Sequence, residues 1–428
     1  MRWSAKTPSI LPLMILAGLL LAPGCLSPAG GVESTRAPEV ALEQALNAGS
    51  AVAVHDHLRL THPPDLELMQ NVWAAGGGRW AVEDYDTTSD FAFEATLSNG
   101  LASYRLSVTG LPGSSAARVA VYKTSDRRFA PIETLSAWEV EANQQSFRVT
   151  AHTFDLSDQG CSTRHAFGGD PGDPVPLASV SKLLIGAVAA SDGPSDMADR
   201  LTIDDAVRSL PSGTWHQLPN GTSRTVAEAI AAMWSDSDNT AADMLVRHIG
   251  ADQIQQTSTA SFGYEPDLPF LTTAELFKLK WGGDPEAARI FSEAATLTER
   301  QRLLGEVSEE PLPLLTGSEL PTYNETVEWR ASPAGVCEAL RTIWADSTFR
   351  PIAEHALAVG QGTPLDPSWF VKYGSEPGVF TAAGISRIDS ATPVVIVFAA
   401  IDANSLINLV DVQRLFENYS RLTLEKSA

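Results

Sequence analysis

Lysine is the scarcest charged residue of this chain: seven of its 30 basic residues are lysine and the rest are arginine. Where arginine is the default cation, a lysine in an unexpected place does something a guanidinium cannot, and giving up a proton near neutral pH is the first such thing. Positive charge as a whole is short. The 52 acidic residues leave a net charge of −22 and a pI near 4.7, which speaks against nucleic acid or an anionic membrane surface as partner, since either would repel the protein. Cysteine amounts to three residues, internal repeats are absent, and the apolar run Ile10 to Leu21 is too short to span a bilayer. What is present is an ordinary globular balance, 44% hydrophobic and 19% charged over 428 residues, long enough for more than one domain and a sizeable core.

The apolar run belongs to a targeting segment. Arg2 and Lys6 precede it and "LAPGC" closes it at Cys25, the layout of a secretory signal peptide over residues 1–24. The ending resembles a bacterial lipoprotein box, in which the cysteine after small residues is lipidated; Ala22 stands where leucine is usual, with Leu21 one place further back. The expectation is an exported protein held by lipid on Cys25 outside the cytoplasmic membrane, in the cell envelope or periplasm, or otherwise a secreted one. Contact with a membrane is expected only through that anchor. Cys161 and Cys337 then remain; they could pair in an exported protein, but small buried thiols are the plainer expectation.

Residues 25–38 are rich in Pro, Gly and Ser without apolar period and read as a flexible tether. Over 39–135 a helical stretch, "VALEQALNAGSAVAVHDHLRL", precedes alternating runs "LASYRLSVTG" and "ARVAVYKT" around the turn "LPGSS", the pattern of a small α+β domain. His55 and His57 have no further placed ligand, so they make no metal site, and nothing in the chain implies a cofactor. A second domain, 145–428, opens with a hairpin, "SFRVTAHTFDLSDQGCSTRHAFG". It continues with helical patterns to about Trp344 and ends with three strand runs, "SWFVKYG", "GVFTAAGISRI" and "TPVVIVFAAID", before a closing helix from Asn404 to Leu424. Strands at both ends with helices between predict an α+β fold: one antiparallel sheet built from the two domain termini, carrying a helical body.

The chemistry centres on "PLASVSKLLIGAVAA". Read at helical period it has no polar face and should be buried on all sides, which makes Lys182 costly unless it is kept for a reaction. Residues i and i+3 share a helix face, so Ser179 meets Lys182 whereas Ser181 points elsewhere. Ser179 is the candidate nucleophile and a desolvated Lys182 the candidate base that takes its proton. Two further stretches fit that chemistry. "SDSDNT" places Ser237, Asp238 and Asn239 before a helix that Gly250 ends, and "VKYGS" places Lys372, Tyr373, Gly374 and Ser375 on the first late strand. Ser235-Asp236-Ser237 is a rival reading of that loop, but only the later triplet has an amide in third place.

In order and in context these stretches resemble the S-x-x-K, S-D-N and K-[ST]-G motifs of the serine β-lactamase and penicillin-binding protein superfamily. The separation of Ser179 and Ser237, 58 residues, is close to that of class A β-lactamases. The resemblance runs from about Gln145 to the C-terminus and implies a class A-like domain. It implies that Ser179 attacks a carbonyl with Lys182 as base or proton relay, and that Ser237 passes a proton to the leaving nitrogen. Asn239 would bond substrate and Lys182, Lys372 would draw a substrate carboxylate, and the amides of Ser179 and Ser375 would stabilise the oxyanion.

The departures are as informative. Tyr373 stands where a small hydroxyl normally meets the substrate, implying altered carboxylate recognition. The stretch from Ser237 to Lys372 is ~30 residues longer than in class A enzymes. No E-x-x-L-N motif, the source of the glutamate that activates the deacylating water, is evident; its echo is Glu265 in "YEPDLPF", with Pro269 where asparagine belongs. A turn or capping role suits Glu265 as well, and Glu275 reads as a capping box with Thr272. With "PFLTTAELFKLKW", this combination is similar to the two-domain β-lactamase-like proteins typified by that of the clavulanic acid gene cluster and by related actinobacterial lipoproteins. In these a small cyclase- or isomerase-like module precedes the class A-like domain. Three classes stay open: a hydrolase of β-lactams or related acyl substrates, a D,D-peptidase or esterase with the same machinery, and a binding lipoprotein that does not turn over.

Overall fold

A computed structural model describes residues 38–48, 51–59, 69, 79–89, 92–99, 102–110, 117–126, 132–191, 196–210, 212–282, 285–313, 324–357, 369–386, 393–403, 407 and 409–425. The leader, Cys25, the tether up to residue 37 and the "LPGSS" turn lie outside them. Over the N-terminal stretch two helices, Pro38–Asn47 and Ala51–Leu58, accompany an antiparallel meander of four strands, Ala81–Ser89, Ala92–Ser98, Ala102–Gly110 and Ala117–Asp126. Leu42, Leu46, Val54 and Leu58 from the helices and Leu97, Tyr104 and Leu106 from the strands form its own core. The first two strands of the meander are additional to the two read from the sequence.

The rest of the described chain is built on a five-stranded antiparallel sheet in the order Trp369–Glu376, Val379–Ser386, Val394–Ile401, Arg148–Ser157, Gly160–Phe167. The opening hairpin and the three late strands meet in this one sheet, and the Val394–Ile401 strand joins the two groups through pairs such as Phe398 with Ala151. The expected α+β architecture is therefore the one observed. Alternation assigns the faces: Val149, Ala151, Val371, Ile396 and Phe398 pack under the helices Leu135–Asn143 and Leu409–Glu425, where Trp138 donates its indole N–H to Leu415 O at 2.8 Å. Helix Leu135–Asn143 thus belongs to this core, ahead of the start expected at 145. On the other face Phe370, Ala383, Ile385, Val395 and Val397 join the helical body.

At the centre of that body lies helix Ser181–Ser191, buried from Ser181 through Ala189 as its lack of a polar face predicts. Gly186 is required here, because a Cβ would stand 2.2 Å from Cζ2 of Trp234; the indole so admitted donates to Lys182 O at 3.1 Å. Helix Thr273–Trp281 starts on the expected capping box of Thr272 and Glu275. The stretch between Ser237 and Lys372 includes helices Pro285–Glu293 and Leu297–Ser308. One expectation is overturned. Cys161 and Cys337 are joined in a disulfide, tying strand Gly160–Phe167 to helix Pro333–Ala345 across 176 residues of sequence, a separation at which sequence spacing carries no pairing signal.

His152, on the Arg148–Ser157 strand, is fully buried, and neither ring nitrogen has a hydrogen-bond partner among the described residues. Burial, with His165 adding to it and Asp170 and Asp173 opposing, lowers its pKa from 6.5 to about 4. The unfolded chain then holds more protons than the folded one between those two values, so stability rises with pH across that window, by up to about 3 kcal/mol. We expect the thermal midpoint to fall as pH drops below about 6.5, with a shallower acid limb for His152→Leu. Equal limbs would show that other groups set the acid sensitivity.

Candidate active site

Ser179 sits in a short 3-10 turn, Ala178–Val180, that feeds helix Ser181–Ser191. From Val175 to Ala189 every residue but Ser179 is buried. The turn is fixed from both sides: Leu177 N donates to Trp329 O at 2.9 Å, and Thr381 Oγ1 donates to Leu177 O at 2.6 Å. Ala178 takes φ +42, a left-handed conformation costly for a residue with a Cβ, so Ser179 follows directly on a strained bend.

Lys182 is 1% exposed. Its Nζ lies 3.2 Å from Ser179 Oγ, 2.7 Å from Ser237 O, 3.1 Å from Ser237 Oγ and 2.6 Å from Asn239 Oδ1. An ammonium has three protons for these four acceptors, and losing one leaves a lone pair that can face the serine. Burial lowers its pKa to about 7 against the opposing pull of Asp238 and Asp243, so the neutral amine a general base requires is populated near neutral pH.

The S-D-N loop is anchored by its middle residue. Asp238 caps helix Asn239–Ile249 by accepting from Ala241 N at 2.9 Å, and its other oxygen accepts from Thr214 N at 2.7 Å and Trp215 N at 2.9 Å. Ser237 takes φ +54, which turns its carbonyl toward Lys182, and Ser212 Oγ donates to the same carbonyl at 2.5 Å. Asn239 uses Nδ2 on Leu210 O at 3.1 Å. The later of the two overlapping triplets is therefore the one that meets Lys182. Ser212 and the anchoring role of Asp238 were not read from the sequence; the only local signal was a buried-type acid between two polar residues.

Lys372 donates to Ser237 Oγ at 2.9 Å and to Tyr373 O at 2.7 Å. Burial and then the charge of Lys182 hold its pKa well below the usual lysine range. It forms no ion pair among the described residues, so the buried amine faces the Ser237 hydroxyl with no carboxylate beside it. Gly374 is indispensable beside it: a Cβ there would stand 2.6 Å from Ser179 N and from Thr381 Oγ1. Since Trp369–Glu376 is an edge strand and Val371 N bonds outside the sheet to Leu357 O at 2.8 Å, alternation turns the N–H of Ser375 to the same free edge. That edge carries the Ser179 turn.

Ser179, Lys182, Ser237, Asn239, Lys372, Gly374 and Ser375 come together, while Tyr373 and Glu265 make their contacts with other residues. Tyr373 faces the opposite side of the sheet from Lys372, with its ring 6.3 Å from Phe380 and 5.8 Å from Phe416. Its hydroxyl is not placed for a substrate, because neighbouring residues in a strand point to opposite faces. Glu265 pairs with the Arg330 guanidinium at 3.4 Å, and its N–H donates to Arg330 O at 3.0 Å. It makes no hydrogen bond to Ser179 or Lys182, and Arg330 engages the carboxylate that a base would need free.

Residues 133–274 match the model of the beta-lactamase enzyme family. That span takes in Ser179, Lys182, Ser237 and Asn239, while Lys372 lies beyond it. No curated protein matches the chain. Among solved structures, the chain is similar to the β-lactamase from Sphaerobacter thermophilus DSM 20745, at 16% identity over 69% of this chain and 96% of that one, with a TM-score of 0.48. It is similar to a PBP-A mutant in its acyl-enzyme complex with penicillin G, at 16% identity over 70% and 99% with a TM-score of 0.46. An ancestral class A β-lactamase gives 16% identity over 68% and 98% with a TM-score of 0.47.

Proposed function

We propose that this protein is a serine hydrolase of the β-lactamase type, acylated at Ser179 by β-lactams or related acyl substrates. The observation that carries the reading is the buried Lys182 amine within 3.2 Å of Ser179 Oγ and 3.1 Å of Ser237 Oγ. Lys182 takes the proton from Ser179 as its oxygen adds to the carbonyl. Ser237, bonded to both lysines, passes a proton to the departing nitrogen. Lys372 receives a substrate carboxylate, and the amides of Ser179 and Ser375 bind the oxygen on which negative charge develops. The lipoprotein-like ending at Cys25 supports export and anchoring in the cell envelope. The kinship with two-domain proteins of the clavulanic acid cluster type, and a cyclase- or isomerase-like N-terminal unit, belong to the same reading.

Release of the acyl group is the weak half of the cycle. It needs a base beside a water at the ester, typically worth 10²- to 10⁴-fold, and among the described residues no carboxylate bonds Ser179 or Lys182. Intact-mass measurement with a penicillin and a cephalosporin should show a one-to-one adduct forming quickly, and the burst should be followed by turnover at least ~10²-fold slower. Glu265→Gln should leave the slow phase within a few-fold. Fast turnover without a burst would contradict the reading of weak release, and the absence of both adduct and hydrolysed product would remove the hydrolase assignment. The same missing base favours, as the second reading, a D,D-peptidase or esterase on peptidoglycan stems or other acyl groups; a non-hydrolytic binding lipoprotein corresponds to an adduct that persists.

A further inference from the structure

Behind this site lies a cluster of charges that the chemistry above does not use. Lys280, in the last turn of helix Thr273–Trp281, donates to Glu328 and, at 2.7 Å, to Glu376. The three side chains are 2%, 0% and 9% exposed. Burying such an arrangement is unfavourable unless its geometry is good, and such clusters are poor sources of net stability. Their position in the fold suggests another use.

Glu376 is on the strand that carries Lys372 and Gly374, four and two residues beyond them respectively and on the same face. Ser375 therefore lies between two anchored neighbours: Gly374 is pressed against Ser179 N, and Glu376 is held by Lys280. The strand has a ladder partner on one side only and turns at Pro377 and Gly378 into the next strand, so without the side-chain tie this end would be free to twist. Glu328 reaches the same amine from the other direction. It precedes Trp329, whose carbonyl receives the N–H of Leu177 at the base of the Ser179 turn. One lysine thus joins the strand that presents the Ser375 amide to the segment that backs the Ser179 amide. Its helix is itself docked on the Asn239 helix, where buried Asp243 accepts from Thr273 N at 2.7 Å and Ala274 N at 3.0 Å.

We propose that Lys280, Glu328 and Glu376 are positioning residues that fix the spacing of the Ser179 and Ser375 amides, and with it the oxyanion pocket; this rests on the hydrolase reading above. Two carboxyl groups on one ammonium are compatible with burial when one keeps its proton. Burial, with the adjacent Glu376 adding to it, pushes Glu328 well above the ordinary carboxyl range, and its Oε2 has no hydrogen-bond partner among the described residues.

The test is carried out on the full chain with Glu376→Ala, Lys280→Met and Glu376→Gln, the last keeping shape and an acceptor for Lys280. Acylation by penicillin is timed by intact mass, and the ester carbonyl stretch of the trapped acyl-enzyme is recorded by infrared difference spectroscopy. We expect Glu376→Ala and Lys280→Met to acylate ~10²-fold more slowly, the effect of a pocket displaced by about an ångström, with the stretch moved to higher wavenumber as the amide bonds lengthen. Glu376→Gln should stay close to the unaltered protein in both. Should the first two variants fail to fold, Glu376→Asp, shorter by one methylene, must shift the stretch while Glu376→Gln does not. Slower acylation with an unmoved stretch, or no slowing, overturns the proposal while leaving the hydrolase reading intact. An unaltered protein that gives neither adduct nor hydrolysed product removes both.

Discussion

Ser179→Ala will form no covalent adduct with a β-lactam, while Ser181→Ala will form one at close to the normal rate. Both serines flank the start of the same helix, and the difference between them is one of direction. Ser179 Oγ stands 3.2 Å from Lys182 Nζ on a half-buried turn, whereas Ser181 is 2% exposed and enclosed by the core. Removing a nucleophile removes the covalent route entirely, a loss on the order of 10⁶-fold where such a residue acts with a base. Intact mass detects the adduct and peptide mapping locates it. An adduct on Ser181, or one that survives in Ser179→Ala, would mean that the helix start has been read on the wrong face.

What made Ser179 and Lys182 legible in the sequence was local: an apolar run without a polar face, a hydroxyl and an amine at i and i+3, and the scarcity of lysine. The sheet was legible for the same reason, since its five strands come from a hairpin and three strand runs in close succession. Tyr373 shows a limit of resemblance. Its place in the K-x-G stretch pointed to the substrate, yet the alternation that sends Lys372 to Ser237 sends its neighbour to Phe416. Pairings across long separations left no local trace. Cys161 meets Cys337 after 176 residues, and Lys280 meets Glu376 after 96; each of these looks, in its own segment, like an unremarkable residue of a strand or a helix end. Ser212 likewise becomes a site residue only when the loop before it folds over the Ser237 carbonyl.

Lys182→Arg should be as damaging as Lys182→Ala, each lowering the acylation rate by ~10²- to 10⁴-fold, the usual worth of a general base. Arginine keeps the positive charge and adds donors, so an electrostatic role alone would leave it active. It cannot take the serine proton, because a guanidinium stays protonated at any pH the protein survives. The pH profile separates the roles further. The lysine pKa is lowered to about 7 and the active form is the neutral amine, so acylation by the unaltered protein should rise with pH through that value and level off above it. In Lys182→Arg the rise should vanish, leaving a slow rate that is flat across the same range. An arginine variant that acylated near the normal rate would reduce Lys182 to a fixed charge beside Ser179. The proton would then have to leave through Ser237, whose hydroxyl contacts both Lys182 and Lys372, and the inflection of the pH profile would follow Lys372 instead.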